Sequence, residues 1–319
     1  MGENCGSLQS CRSTCLMRMT SCNNRTKGGL LTAWLTPVST ALRALIQLML
    51  VLSLAWAGGA GAQALPPLKL GIMPFNSTLA LIKTHQPLIR HLEAQLGRRV
   101  VIYTSADYYT FVNELLDAHF DLAIAGPHFG SMAQERGAVL LFRYQADLQP
   151  VFVVRSDSNI RTLEDLRGKR IGLSSPLSIS SIGGVKWLHD KGLGLDKDYQ
   201  LVERSTHGAA IAAVSVGDLD AALTTHTPLK QIPDDVRAKI RILPLDIHVP
   251  HLMTLANARL GPKEIERLRL ALRNFPATPD GQEFFRETGY IGYAEVSPAD
   301  IRALKPFVEL TVQMMRRGK

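Results

Sequence analysis

"KRIGLSSPLSISSIGGVKWLHDKGL" (Lys169–Leu193) opens as a strand, closes as a helix and packs five serines into the handover between them. Hydroxyls and free backbone N–H groups at a helix start make an uncharged cradle for an anion. A flexible linker with a serine N-cap would need only one of those serines. Position alone leaves both readings open, and the surrounding chain has to decide between them.

Outward from this stretch the pattern alternates. "LKLGIM" reads as a strand, and "PLIRHLEAQLG" as a helix with Pro87 in its first turn and Gly97 past its end. "RVVIYT" is a strand, "DYYTFVNELLDAHF" a helix with Asp107 as N-cap, and "DLAIAG" a strand. The order returns downstream with "KRIGL", a helix, "YQLVE", the helix "GAAIAAVSV" and the strand "LDAALT". Strands alternating with helices predict an α/β protein with mostly parallel sheets, and two such runs predict two similar lobes. The C-terminal third is helical: "PKEIERLRLALRNF" sets Ile265, Leu268, Leu272 and Phe275 on one face, and "SPADIRALKPFVELTVQMMRRGK" is expected to break near Pro306.

Ligands of open α/β sheets bind beyond the carboxyl ends of the strands. Three polar stretches stand there: "TSADYY" after "RVVIY", "SSPLSISS" after "KRIGL", and "RSTHGAA" after "YQLVE". Each also begins a helix, and three helix N-termini aimed at one crevice suit an oxyanion.

The chain has 319 residues, 46% of them hydrophobic, which is ample for two lobes. Of its net charge of +8, the first 62 residues carry +4, five Lys or Arg against one Glu, leaving +4. That modest excess, with no basic run, argues against a nucleic-acid partner. Arg43, the apolar run "LIQLMLVLSLAWA" (Leu45–Ala57) and small residues at Ala60 and Ala62 form the parts of a secretory signal. At 13 residues the run is too short to span a bilayer of about 30 Å. Cleavage is expected after Ala62 or Ala64, with translation starting internally at Met17 or Met19. All four cysteines (Cys5, Cys11, Cys15, Cys22) precede that point, so the exported chain has no disulfide. No cysteine stands at the cleavage site, which argues against a lipid anchor.

Two chemical alternatives are weak. His207, His226, His248 and His251 raise a metal site, yet no ligand spacing supports one, and no metal or cofactor is expected. Ser178, His207 and Asp220 can be drawn as a hydrolase triad, but no G-x-S-x-G elbow surrounds any serine, so no enzyme is expected.

The segments "ADYYTFVNELLDAHFDLAIAGP", "TLEDLRGKRIGLSSPLSISS" and "STHGAAIAAVSVGDLDAAL" resemble the phosphonate/phosphite/phosphate-type substrate-binding proteins of ABC importers. The likeness runs from about Leu68 to Phe307. It implies a type 2 periplasmic-binding fold: two α/β lobes with mixed, mostly parallel sheets and helices on both faces. Two strands cross between the lobes, "PVFVVRS" and "LPLDIHVPHLM". The implied division is 1–64 as extension and signal, 66–153 plus 249–319 as one lobe and 154–248 as the other. Carried over by position, Tyr108 donates to the ligand and Ser178, Ile179 and Ser180 form the phosphate loop, with Ile179 where threonine is common. His207 faces the anion from a helix start. Gly130 stands where a second tyrosine often does, with His128 or Phe129 to fill that space. Thr227 stands where binders of aminoalkylphosphonates carry a carboxylate. The resemblance implies a monomeric periplasmic protein that hands a small phosphorus oxyanion to an ABC permease. A periplasmic sensing module that signals to a membrane receptor or kinase fits the same residues.

Overall fold

The computed structural model describes residues 42, 44–49, 65–162 and 164–317. The four cysteines and the expected cleavage sites lie outside the described residues. Residues 65–317 belong to one compact unit. No described helix is long and apolar enough to cross a membrane.

Two sheets organise this unit. The six-stranded sheet contains β1 (Leu68–Ile72), β2 (Val100–Tyr103), β3 (Leu122–Ala125), β4 (Val139–Tyr144), β12 (Met253–Ala256) and β13 (Tyr293–Ala294), in the order β13-β4-β12-β3-β1-β2. The five-stranded sheet contains β6 (Pro150–Arg155), β7 (Lys169–Leu173), β8 (Tyr199–Glu203), β9 (Ala221–Thr225) and β10 (Ile240–Pro244), in the order β10-β6-β9-β7-β8. The two follow one plan. Three parallel strands (β2, β1, β3 and β8, β7, β9) are followed by an antiparallel strand that has just crossed from the other lobe, β12 or β6. The crossings themselves pair in a small ribbon, β5 (Asp147–Leu148) with β11 (Val249–Pro250). This is the two-lobed α/β architecture with two crossings that the resemblance implied. β6 lies wholly in the five-stranded sheet, so the boundary expected after 153 falls inside a strand and the passage between lobes comes at 147–149.

β6 shows why the second lobe is covered on both faces. Phe152 and Val154 enter one core with Ile171, Leu188 and Leu223, while Val151 and Val153 enter another with Ala210, Ile211 and Val214. A strand buried on both sides reads as a continuous apolar run, as this one does.

Three helices depart from the sequence reading. The first, α1, spans Thr78–Leu96, with Ser77 accepting from Ala80 N, so Pro87 lies mid-helix rather than in its first turn. Proline removes one helical hydrogen bond. Here that bond would end on the carbonyl of exposed Lys83, while Leu81, His85, Leu88 and Leu92 hold the opposite face in the core. The C-terminal helix likewise runs unbroken through Pro306, from Pro298 to Arg317. It packs on the Pro127–Glu135 helix of one lobe and the Ile179–Asp190 helix of the other. That last helix starts inside the serine stretch instead of after it.

Candidate functional site

Each helix start that faces the cleft has its own local cause. Asp107 caps Tyr108–Leu116 (α2) by accepting from Thr110 N at 2.7 Å. Ser178 caps Ile179–Asp190 (α4) by accepting from Ser181 N at 3.2 Å. Thr206 caps His207–Ser215 (α5) by accepting from Ala209 N at 3.0 Å. A fourth start, Pro127–Glu135 (α3), uses Gly126 and Pro127 with no side-chain cap. The first helical residues Tyr108, Ile179 and His207 all line one cavity, and Gly126 and His128 join them from α3.

All seven residues singled out from the sequence line that cavity: Tyr108, His128, Ser178, Ile179, Ser180, His207 and Thr227. It measures about 30 Å³, room for two or three waters or an ion of few atoms, by the about 10–15 Å³ that one water needs. No Lys, Arg, Asp or Glu is on its wall. The only ionisable side chains there are two tyrosines and two histidines, and burial keeps all four neutral. Desolvation pushes the tyrosine hydroxyls of Tyr108 and Tyr290 up and lowers His128 and His207 to about 4. His207 therefore stays uncharged at pH values where an unperturbed imidazole is cationic.

The serines are wired together. Ser178 Oγ lies 2.9 Å from Ser180 Oγ and 2.8 Å from Ser181 Oγ. Ser174, which the sequence gives no special weight, adds a further buried hydroxyl: its Oγ is 3.2 Å from His207 Nε2. Ile179 points across the cleft and joins the core of the first lobe. His128 Nε2 lies 3.0 Å from Leu177 O, an interlobe bond. Thr227 Oγ1 is 3.3 Å from Thr225 Oγ1.

Three buried polar atoms on the wall have no protein partner: Tyr108 Oη, His128 Nδ1 and His207 Nδ1. Buried polar groups are nearly always bonded, so three unpartnered atoms on residues that line one cavity point to a polar ligand there.

The other candidates separate from the site. Asp220 accepts from Arg170 N at the opposite end of the strands, and His207 meets Ser174 rather than Ser178, so the drawn triad does not assemble. His248 is exposed, and His251 is buried behind the cavity against Tyr144 and Tyr290. Among the described residues no three His, Cys, Asp or Glu side chains gather as metal ligands. Tyr290, Thr225, Met73 and Phe75 also line the cavity. Tyr290 follows "ETG" and carries no local signal that separates it from a core aromatic.

Two lobes closing on a charge-free cavity at four helix starts define a solute-binding protein. The model of the phosphonate periplasmic substrate-binding proteins of ABC transporters matches residues 70–301, and the chain belongs to that family. This is a family of transport proteins rather than enzymes. A phosphate-import protein of Mycolicibacterium smegmatis is 25% identical over 221 residues, covering 63% of this chain and 69% of that one. A binding component of an ABC phosphonate transporter from Pseudomonas aeruginosa superposes with a TM-score of 0.68 at 17% identity, covering 78% of this chain and 89% of its own. PhnD1 of Prochlorococcus marinus, solved with methylphosphonate, gives 0.66 at 18% identity, covering 76% and 97%. At these identities the solved structures establish the fold, the type 2 periplasmic-binding architecture.

Proposed function

We propose that the protein captures a small tetrahedral phosphorus oxyanion (phosphonate, phosphite or phosphate) in this cleft, in the periplasm, and presents it unchanged to an inner-membrane ABC permease. The observation that carries the reading is the set of three orphaned polar atoms around a charge-free cavity at four helix starts. Helix dipoles and hydroxyls then supply the attraction, with each charge-assisted hydrogen bond worth about 1.5–3 kcal/mol. Turnover has no support in the geometry. The Ser174–His207 pair lacks a carboxylate at His207 Nδ1 to orient it as a base.

An ammonium group would enter this cavity unpaired, because Thr227 offers only a hydroxyl. Ethylphosphonate is therefore expected to bind at least about tenfold more tightly than 2-aminoethylphosphonate. Calorimetry on residues 65–319 with phosphate, phosphite, methylphosphonate, sulfate and arsenate tests the main reading. One saturable site is expected, with phosphorus NMR showing the bound ligand unaltered. No binding across the panel overturns it.

A further inference from the structure

We propose that His128 reads a proton on the ligand. Its Nδ1 accepts a hydrogen bond from a P–OH group, so the cleft takes oxyanions that carry a hydroxyl and rejects isosteric ones that carry none. The inference rests on the oxyanion reading of the cleft and names the chemistry that selects among oxyanions.

The argument starts at the far side of the ring. His128 belongs to the first lobe, and its Nε2 meets the carbonyl oxygen of Leu177 in the second at 3.0 Å. A carbonyl only accepts, so Nε2 must hold the proton. Burial disfavours a second proton on the ring. Nδ1 is then a bare lone pair. It is buried with no donor from the protein. Its edge of the ring faces Gly126, where a Cβ would stand 3.3 Å from Nδ1, and both residues line the cavity.

Helix-start N–H groups and hydroxyls around the same cavity favour oxygen lone pairs on a ligand. His128 Nδ1, whose bare lone pair the Leu177 carbonyl fixes from the far side of the ring, demands the opposite, a donor. A phosphonate monoanion brings one hydroxyl to meet it. A sulfonate of the same shape and charge brings three oxygens with lone pairs only, and one of them would face another lone pair in a site closed to water. Sites that leave a buried polar group unpaired reject the mismatched ligand strongly.

Methylphosphonate and methanesulfonate isolate that single proton at about pH 6, where the phosphonate is chiefly a monoanion. Calorimetry on the wild-type protein is expected to favour methylphosphonate by about a hundredfold or more. His128→Asn places an amide near the Nδ1 position, free to turn its NH₂ inward, and the preference is expected to fall to about tenfold or less. Nitrogen-15 NMR of the ligand-free protein is expected to show His128 as the neutral Nε2–H tautomer, a readout that needs no variant to fold. Methanesulfonate binding the wild type within about threefold of methylphosphonate overturns the proposal and leaves oxyanion capture standing. So does an Nδ1–H tautomer, or a folded His128→Asn protein with undiminished preference. Failure of both ligands and of the wider anion panel overturns the two readings together.

Discussion

The side-chain amide of Asn76 donates to Gln231 Oε1 at 3.0 Å, joining two residues 155 positions apart on opposite lobes. The Tyr290 hydroxyl of the first lobe lies beside the same glutamine, and Lys230 Nζ lies 2.5 Å from where a Cβ on Gly289 would stand. One short turn therefore has two ends with different tasks. Thr227 and Pro228 line the cavity, while Gln231 bonds across the lobes to Asn76 and Lys230 packs against Gly289. Gln231→Ala is expected to raise the ligand's dissociation rate by about five- to fiftyfold and to leave the association rate nearly unchanged. Stopped-flow measurements separate the two rates. A double-mutant cycle with Asn76→Ala should show a coupling of about 1 kcal/mol. Additive effects would mean that the contact carries nothing.

The two serines at the start of α4 are expected to part company. Ser178 caps the helix as well as lining the cavity, whereas Ser180 lines it and bonds Ser178 Oγ without capping the helix. Ser178→Ala should lower Tm by several degrees, through a lost cap worth about 0.5–2 kcal/mol, and should weaken binding about tenfold. Ser180→Ala should weaken binding by a similar factor and leave Tm within about 2 °C. Measuring affinity and melting on the same samples checks the contrast.

Ile179→Thr restores the residue common in the family, yet it should weaken binding. The isoleucine side chain crosses the cleft into the core of the first lobe, where only 6% of it is exposed. Losing that apolar contact and burying a hydroxyl in its place costs about 1–2 kcal/mol of lobe closure, about five- to thirtyfold in Kd. Tighter binding by the threonine variant would show that the backbone N–H at 179 alone is insufficient for the anion.

Acid should destabilise the fold well before the carboxylates titrate. Burial lowers His85, His128 and His207 to about 4 from the usual 6.5. The unfolded chain then binds protons that the folded chain refuses. Stability is full above about pH 6.5 and falls as pH drops toward 4, by about 2 kcal/mol per histidine at pH 5. Melting temperatures from pH 7.5 to 4.5 test this. His85→Gln, remote from the cavity, should flatten the decline, and a parallel decline in both proteins would place its origin elsewhere.

The helix starts around the cavity were legible because each is local, whereas the individual residues came from the family resemblance. Asp107, Ser178 and Thr206 are cap residues followed by helix, and the strand before each one aims the cap at the cleft. Period-2 and period-3.6 patterns locate the strands and helices without any knowledge of contacts. Pro87 and Pro306 misled because their cost depends on which face of a helix turns to solvent, a tertiary fact. Tyr290, Asn76 and Gln231 were invisible for a related reason. Each gains its role from a partner more than fifty residues away, and nothing in its neighbours announces that meeting.

The inserted strands also set an order of assembly. The second lobe's sheet draws on Pro150–Pro244 alone, an unbroken stretch of chain. The first lobe's sheet has a gap between β3 and β4 that only Met253–Ala256 can fill, more than a hundred residues after β4 ends. A chain threaded out from its N-terminus thus delivers most of the first lobe early but cannot finish it. Contacts at that sequence separation form late, because the loop must close before they return any stability. The second lobe is expected to mature first, while the first waits with two strand edges unpaired, a template for pairing with other chains. The interval between residue 144 and residue 253 is where the nascent protein is most exposed to aggregation, and where a holding chaperone would have the most to protect.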